Sequence, residues 1–289
     1  MLIEGIVKRY RWQLIFTLSL IVSEALLGIL FPLFIGKAIG GVLNKETTGL
    51  WLLGILGILL VFIGGFRRMY DSRFYARVYT QLSSATLNRM PKDEHSTKTA
   101  RLSMLLEMVK FAEFQFPDII QHSIGLIGVL TIIAFLNLNI FLGALISGTL
   151  VIGLYLLSGK KTFLFNRDYN NELEKQVAVI SRNRQSELKL HLLKLMRWNI
   201  KLSDIETINY SLSWLFMLLL LLAAIALSAW YGNIEYGALF ALIMYVYQYI
   251  ESMVSLPLYY QEWLRLTEIT QRIRNFNKKL DFDVGQKLA

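Results

Sequence analysis

The sequence predicts an all-α integral membrane fold with six transmembrane helices and long cytoplasmic extensions. Three observations predict it. Hydrophobic residues make up 55% of the 289 positions and charged residues only 18%, where a soluble domain carries about a quarter charged residues. Mean hydropathy is +0.46. Uncharged runs long enough to cross a bilayer recur along the chain. The apolar content excludes a disordered chain. With no Cys, a disulfide scaffold, a thiolate metal site and a Cys nucleophile are excluded too.

The first span covers residues 14–35, interrupted by the single charge Glu24. The second covers 50–66 and is closed by Arg67 and Arg68. Residues 119–159 contain no Lys, Arg, Asp or Glu. That run is too long for one span and divides at Asn137-Leu138-Asn139 into spans 119–136 and 140–159, because Asn suits a tight turn. A fifth span, 208–230, lies within an uncharged run, and the sixth, 236–260, carries Glu251. Trp51, Trp230, Tyr231 and Tyr236 fall at span ends, where they read as an interfacial aromatic belt.

Basic residues fix the topology. With loops 36–49, 137–139 and 231–236 on one side, only Lys37 and Lys45 of the 30 Lys and Arg lie there. This asymmetry predicts a plasma (bacterial inner) membrane protein with both termini and two long loops in the cytoplasm. The net charge of +9 is then a membrane-surface signal, and no nucleic-acid partner is expected. Ile3, Ile6, Val7 and Tyr10 share one helical face beside Lys8, Arg9 and Arg11, which predicts an amphipathic elbow over residues 1–12.

The loops 67–118 and 160–206 are too long to be simple connectors. Tyr75, Val78, Tyr79, Leu82, Ala85 and Leu87 follow a helical rhythm with no interruption before Pro91. The second helix should therefore continue about 35 Å beyond the membrane at roughly 1.5 Å per residue. A bend near 91–103 and a return through 104–117 follow. The second loop repeats the plan, with a polar turn near 181–186 and a return through 188–198.

Several sequence pieces match this layout. Phe31-Pro32-Leu33-Phe34-Ile35-Gly36 ends the first helix, Tyr236-Gly237-Ala238-Leu239-Phe240-Ala241 opens the sixth, and Ile269-Thr270-Gln271-Arg272-Ile273 follows it. In order and spacing they resemble the membrane domain of ABC exporters, across about residues 1–275. The resemblance implies a six-helix domain over 13–275, a cytoplasmic tail over 276–289, and a homodimer that exchanges its fourth and fifth helices. It also implies coupling segments at the loop tips, near 97–104 with Thr97, Arg101 and Met104, and near 181–190 with Ser181, Arg184 and Ser186. These would dock on an ABC ATPase subunit. No G-x-x-x-x-G-K-[ST] loop is present. In the nearest run, Gly159-Lys160-Lys161-Thr162, Lys161 occupies the Ser/Thr position. The chain is thus expected not to be an enzyme and to hold no cofactor. ATP would enter only through a separate ATPase subunit.

Ionisable groups at membrane depth are functional candidates. Glu24 shares a face with Thr17, Gly28 and Phe31. It reads either as a proton- or cation-accepting carboxylate in a central path or as a hydrogen-bonded tie between helices. Tyr245, Gln248, Ser252, Ser255 and Tyr259 recur at spacings of three and four with Glu251 at the edge. That stripe suits a wet cavity or interhelical hydrogen bonding. His122, near Gln121 and Asp118, is a possible relay or a structural interfacial residue. His95 and His191 lack metal-ligand spacing, so no metal is expected.

The leading reading is the transmembrane subunit of an ABC-exporter-type transporter that moves a small amphipathic or peptide-like substrate by alternating access. One alternative is a proton-gradient-driven transporter of the same fold. Another is a non-transporting membrane immunity or scaffold protein.

Overall fold

The computed structural model describes residues 8–88, 95–173, 175–230 and 235–260, and among them there is no strand. The elements are α1 (Arg11–Leu43), α2 (Thr48–Leu87) and α3 (His95–Lys110), which passes through a π turn (Phe111–Gln115) into α4 (Phe116–Leu136). Then come α5 (Leu138–Leu173), α6 (Gln176–Ser181), α7 (Gln185–Trp230) and α8 (Tyr236–Tyr260). Six helical stretches among them are long and apolar enough to cross a membrane. The protein is an all-α, multi-pass integral membrane protein. Most of the elbow segment, the whole tail and the run Ile269 to Ile273 lie outside the described residues.

The helices outlast the apolar runs. At 40 residues α2 is about 60 Å long, twice the hydrocarbon thickness, so its second half leaves the lipid. That half is stabilised by packing. Phe74, Tyr75, Val78 and Leu82 of α2 form a buried core with Leu105 and Val109 of α3, with Tyr10 and Leu14 packed against it. The apolar rhythm in the first loop is therefore the core of a helical hairpin.

Two compact units make up the chain, one of α1 to α4 (up to Ile132) with α8, the other from Ile133 through α7. In the first, α1 and α2 are joined by a tight turn in which Lys45 takes φ 61° and the Glu46 N–H donates to the Gly41 carbonyl at 2.7 Å. α1 crosses the start of α8 at backbone contact distance. Gly36 and Gly40 meet Gly237 and Ala241, and a Cβ on Gly36 would lie 2.8 Å from the Ala241 methyl. Such small-xxx-small spacing lets membrane helices approach closely.

In the second unit α5 and α7 form an antiparallel hairpin. Its ladder runs from Gly143 beside Leu220, through Asn209 Nδ2 donating to Ser158 Oγ at 2.7 Å, to Phe165 beside Trp198. It ends at His191 Nδ1, 3.0 Å from Glu172 Oε1. Asn137 starts α5 as an N-cap, its Oδ1 accepting the N–H groups of Asn139 and Ile140.

Candidate functional site

Glu24 lies midway along the apolar part of α1, and Arg67 follows directly on the apolar part of α2. The short turn between these antiparallel helices brings the two to one level. Arg67 Nε donates to Glu24 Oε2 at 2.6 Å, and Arg67 Nη1 to Asp71 Oδ2 at 3.3 Å. Thr17 Oγ1 donates to Asp71 Oδ1 at 2.9 Å. Spacing accounts for the set. Thr17 and Glu24 share a face of α1 two turns apart, and Arg67 and Asp71 are an i,i+4 pair on α2. Gly64 leaves room for the carboxylate, since a Cβ there would sit 2.9 Å from Glu24 Oε1.

One guanidinium between two carboxylates leaves the triad one charge short of neutral. Side-chain exposure is 23% for Glu24, 11% for Arg67 and 2% for Asp71, so solvent screens this network weakly.

The π turn brings a third element in. Pro117 has no N–H to offer the Glu113 carbonyl, so the ladder shifts register and the Phe116 N–H donates to the Phe111 carbonyl. On this turn Glu113 Oε1 accepts from Ser72 Oγ at 2.8 Å. Arg67, Arg68, Asp71, Ser72, Glu113, Phe114 and Asp118 line a cavity of about 50 Å³, large enough for one or two waters.

The sixth-helix stripe divides by role. Tyr245 is fully buried, and its hydroxyl donates to the Ile29 carbonyl of α1 at 2.9 Å. Ser252 is buried as well. Gln248 is half-buried, with an Oε1 that has no hydrogen-bond partner among the described residues. Glu251 is exposed. His122 of α4 lies against Tyr259 of α8, ring centroids 5.1 Å apart. Tyr245 thus sits in a helix crossing, while Gln248, Glu251 and His122 keep some access.

The turn of the first hairpin, residues 89–94, lies outside the described residues, whereas the second hairpin tip is short and polar. The second consists of α6 and a turn in which Asn183 takes φ 50°, a conformation Asn tolerates. Ser181, Arg184 and Ser186 are exposed, and Arg184 Nη1 donates to Glu187 Oε1 at 3.0 Å. The short helix at this tip precedes the expected segment 181–190, most of which belongs to α7. In the first tip Thr97 and Arg101 lie on α3 with side chains outside the described set, and Met104 is half-buried. Among the described residues no group of His, Asp and Glu has metal-site geometry.

Arg67, Asp71, Ser72 and Glu113 were not marked by sequence reading as candidates. The i,i+4 spacing of Arg67 and Asp71 beside a span carrying Glu24 was the available signal. A run of charges after an apolar segment also describes an ordinary membrane boundary, which masks it.

Among the described residues, six apolar helical stretches, a helical hairpin in each compact unit and, in the first unit, a charged cluster where α2 leaves its apolar run define a transporter-type membrane domain. A family model described as ABC transporter transmembrane region matches residues 3–237. The chain belongs to that family. Its fold is similar to a solved bacterial Atm1-family ABC exporter with ATP bound, at a TM-score of 0.65 and 13% identity over 92% of this chain. The match covers 54% of that exporter, so this chain spans about half its length. No curated protein matched the chain.

Proposed function

We propose that the chain is the membrane-spanning subunit of an ABC-exporter-type transporter, working as a dimer by alternating access. Family membership carries the reading. The two helical hairpins support it, because each projects beyond the apolar segment and is held rigid by its own packing. Their tips would receive an ATPase carried on a separate chain, and ATP would act only there. The excess of Lys and Arg in the two long loops and at the termini supports a cytoplasmic position for the tips and both termini, in a bacterial-type inner membrane. The substrate is a small amphipathic or peptide-like molecule, suited to the aromatic and carboxylate side chains of α1, α4 and α8.

One observation favours a second reading, proton-driven transport on the same fold. Glu24 and Asp71 share a single guanidinium next to a water-sized cavity that Asp118 also lines. That arrangement can hold a proton at one carboxylate while the other keeps Arg67.

Gentle extraction from the native membrane followed by mass spectrometry separates the two. A stoichiometric companion with ATP-binding motifs supports the ATPase-driven system. The chain recovered alone as a dimer, with transport abolished in Glu24→Gln, supports the proton-driven one. A stable chain whose deletion changes no flux under either energy source overturns both.

A further inference from the structure

We infer that the face formed by Trp12 and Phe16 of α1 with Phe66 and Tyr70 of α2, edged by Arg11 and Arg73, binds an anionic phospholipid. The rings of Phe16, Phe66 and Tyr70 form a connected ladder, and Trp12 lies one turn before Phe16 on α1. Phe16 packs edge-on against Phe66 and Tyr70, at 6.3 and 5.0 Å between centroids, and Tyr70 stacks with Phe66 at 6.4 Å. Yet the face remains open, with Trp12 69%, Phe16 41% and Phe66 55% exposed.

Its level in the fold is where α1 enters and α2 leaves the apolar run. Aromatic rings at that depth sit among lipid headgroups. Toward the bilayer centre the face continues into exposed Leu59 and Phe62. In the opposite direction it becomes cationic. The Arg11 guanidinium lies 5.4 Å from the centre of the Trp12 ring. Arg73 is anchored by Nη1 to the Met69 carbonyl at 2.7 Å, which leaves further N–H groups of its planar fork for a phosphate. Among the described residues no carboxylate pairs with Arg11 or Arg73. A face graded from aliphatic through aromatic to guanidinium has the polarity order of a lipid with a negative headgroup, and basic side chains at the surface favour such lipids. The inference rests on the membrane fold and is independent of what the protein transports.

The test uses the full chain reconstituted in phosphatidylcholine vesicles containing brominated phosphatidylglycerol or brominated phosphatidylcholine. Quenching of tryptophan emission is read for the parent and for Trp12→Phe, and the difference isolates Trp12 among the six Trp. The expected result is an association constant at Trp12 about tenfold higher for phosphatidylglycerol. Arg11→Gln/Arg73→Gln brings it close to parity, while Arg11→Lys/Arg73→Lys retains most of it. Arg167→Gln, an exposed charge of α5, leaves it unchanged. Equal quenching by both lipids, a preference that survives the double Gln variant, or an equal loss in Arg167→Gln overturns the inference. So does the absence of quenching by either lipid, which would mean that protein covers the face.

Discussion

Arg67 bridges Glu24 of the first helix and Asp71 of its own, with its Nε 2.6 Å from Glu24 Oε2. The acid that stands out inside the first apolar run is therefore one arm of an ion-paired cluster. A cationic substrate or a proton would have to compete with Arg67 for it.

Arg67→Ala leaves two weakly solvated carboxylates facing each other without a counter-charge. The expected cost is about 3 kcal/mol, read as a fall of roughly 6 °C in apparent Tm. Glu24→Gln costs less, because Gln still accepts from Arg67 and Arg67 keeps Asp71. In Glu24→Gln/Arg67→Gln the loss should be smaller than the sum of the single losses. Strict additivity would show that the pair is not coupled.

Gly36→Leu should disrupt the crossing of α1 and α8, because even a Cβ there meets the Gly237 carbonyl and the Ala241 methyl. Gly54→Leu supplies the control, since nothing lies within 4 Å of a Cβ at that position. Detergent-extracted Gly36→Leu is expected to lose its monodisperse peak on size exclusion while Gly54→Leu keeps it. Equal behaviour of the two would contradict the close crossing.

Tyr245→Phe removes a buried hydrogen bond to the Ile29 carbonyl and should lower stability by about 1 kcal/mol. Transport per folded molecule should change little, because the hydroxyl is enclosed in a helix crossing. A large loss of transport without loss of stability would place Tyr245 on the substrate path.

His191→Ala opens a cavity at the far end of the α5–α7 hairpin and removes a partner of Glu172. The expected cost is about 2 kcal/mol, and it should be local. Hydrogen-exchange mass spectrometry should show faster exchange in peptides around 170–195 and unchanged exchange around 70–85.

Sidedness is testable because the chain contains no Cys. Single substitutions Glu46→Cys and Ser186→Cys, both at exposed positions, should react with an impermeant maleimide from opposite faces of a sealed vesicle. Labelling from the same face would reject the topology proposed from the basic residues.

Much of the fold was legible because the bilayer makes a strong one-dimensional demand. Uncharged runs, their lengths and the breaks at Asn137 and at Arg67-Arg68 can be read without knowing any contact. The helical rhythm from Tyr75 to Leu87 was legible for the same reason, since period needs no partner. The site was less legible. Glu24 announced itself by its rarity in an apolar run, whereas Arg67 and Asp71 looked like ordinary boundary charges. The polar stripe of α8 was read from periodicity, but periodicity does not say which side packs against a neighbour and which stays open.

The sequence by itself determined that this is an all-α, multi-pass membrane protein, where its apolar segments lie, which segments are basic, and that α2 continues as a helix beyond its apolar run. These follow from the cost of placing charge and unpaired backbone in hydrocarbon, a property of each segment alone. Only the tertiary structure decided that Glu24 is tied to Arg67, that Tyr245 is enclosed against Ile29, and that α2 and α3 share a core. Those are pairings between segments distant in sequence, set by helix register and by which small residues let backbones meet.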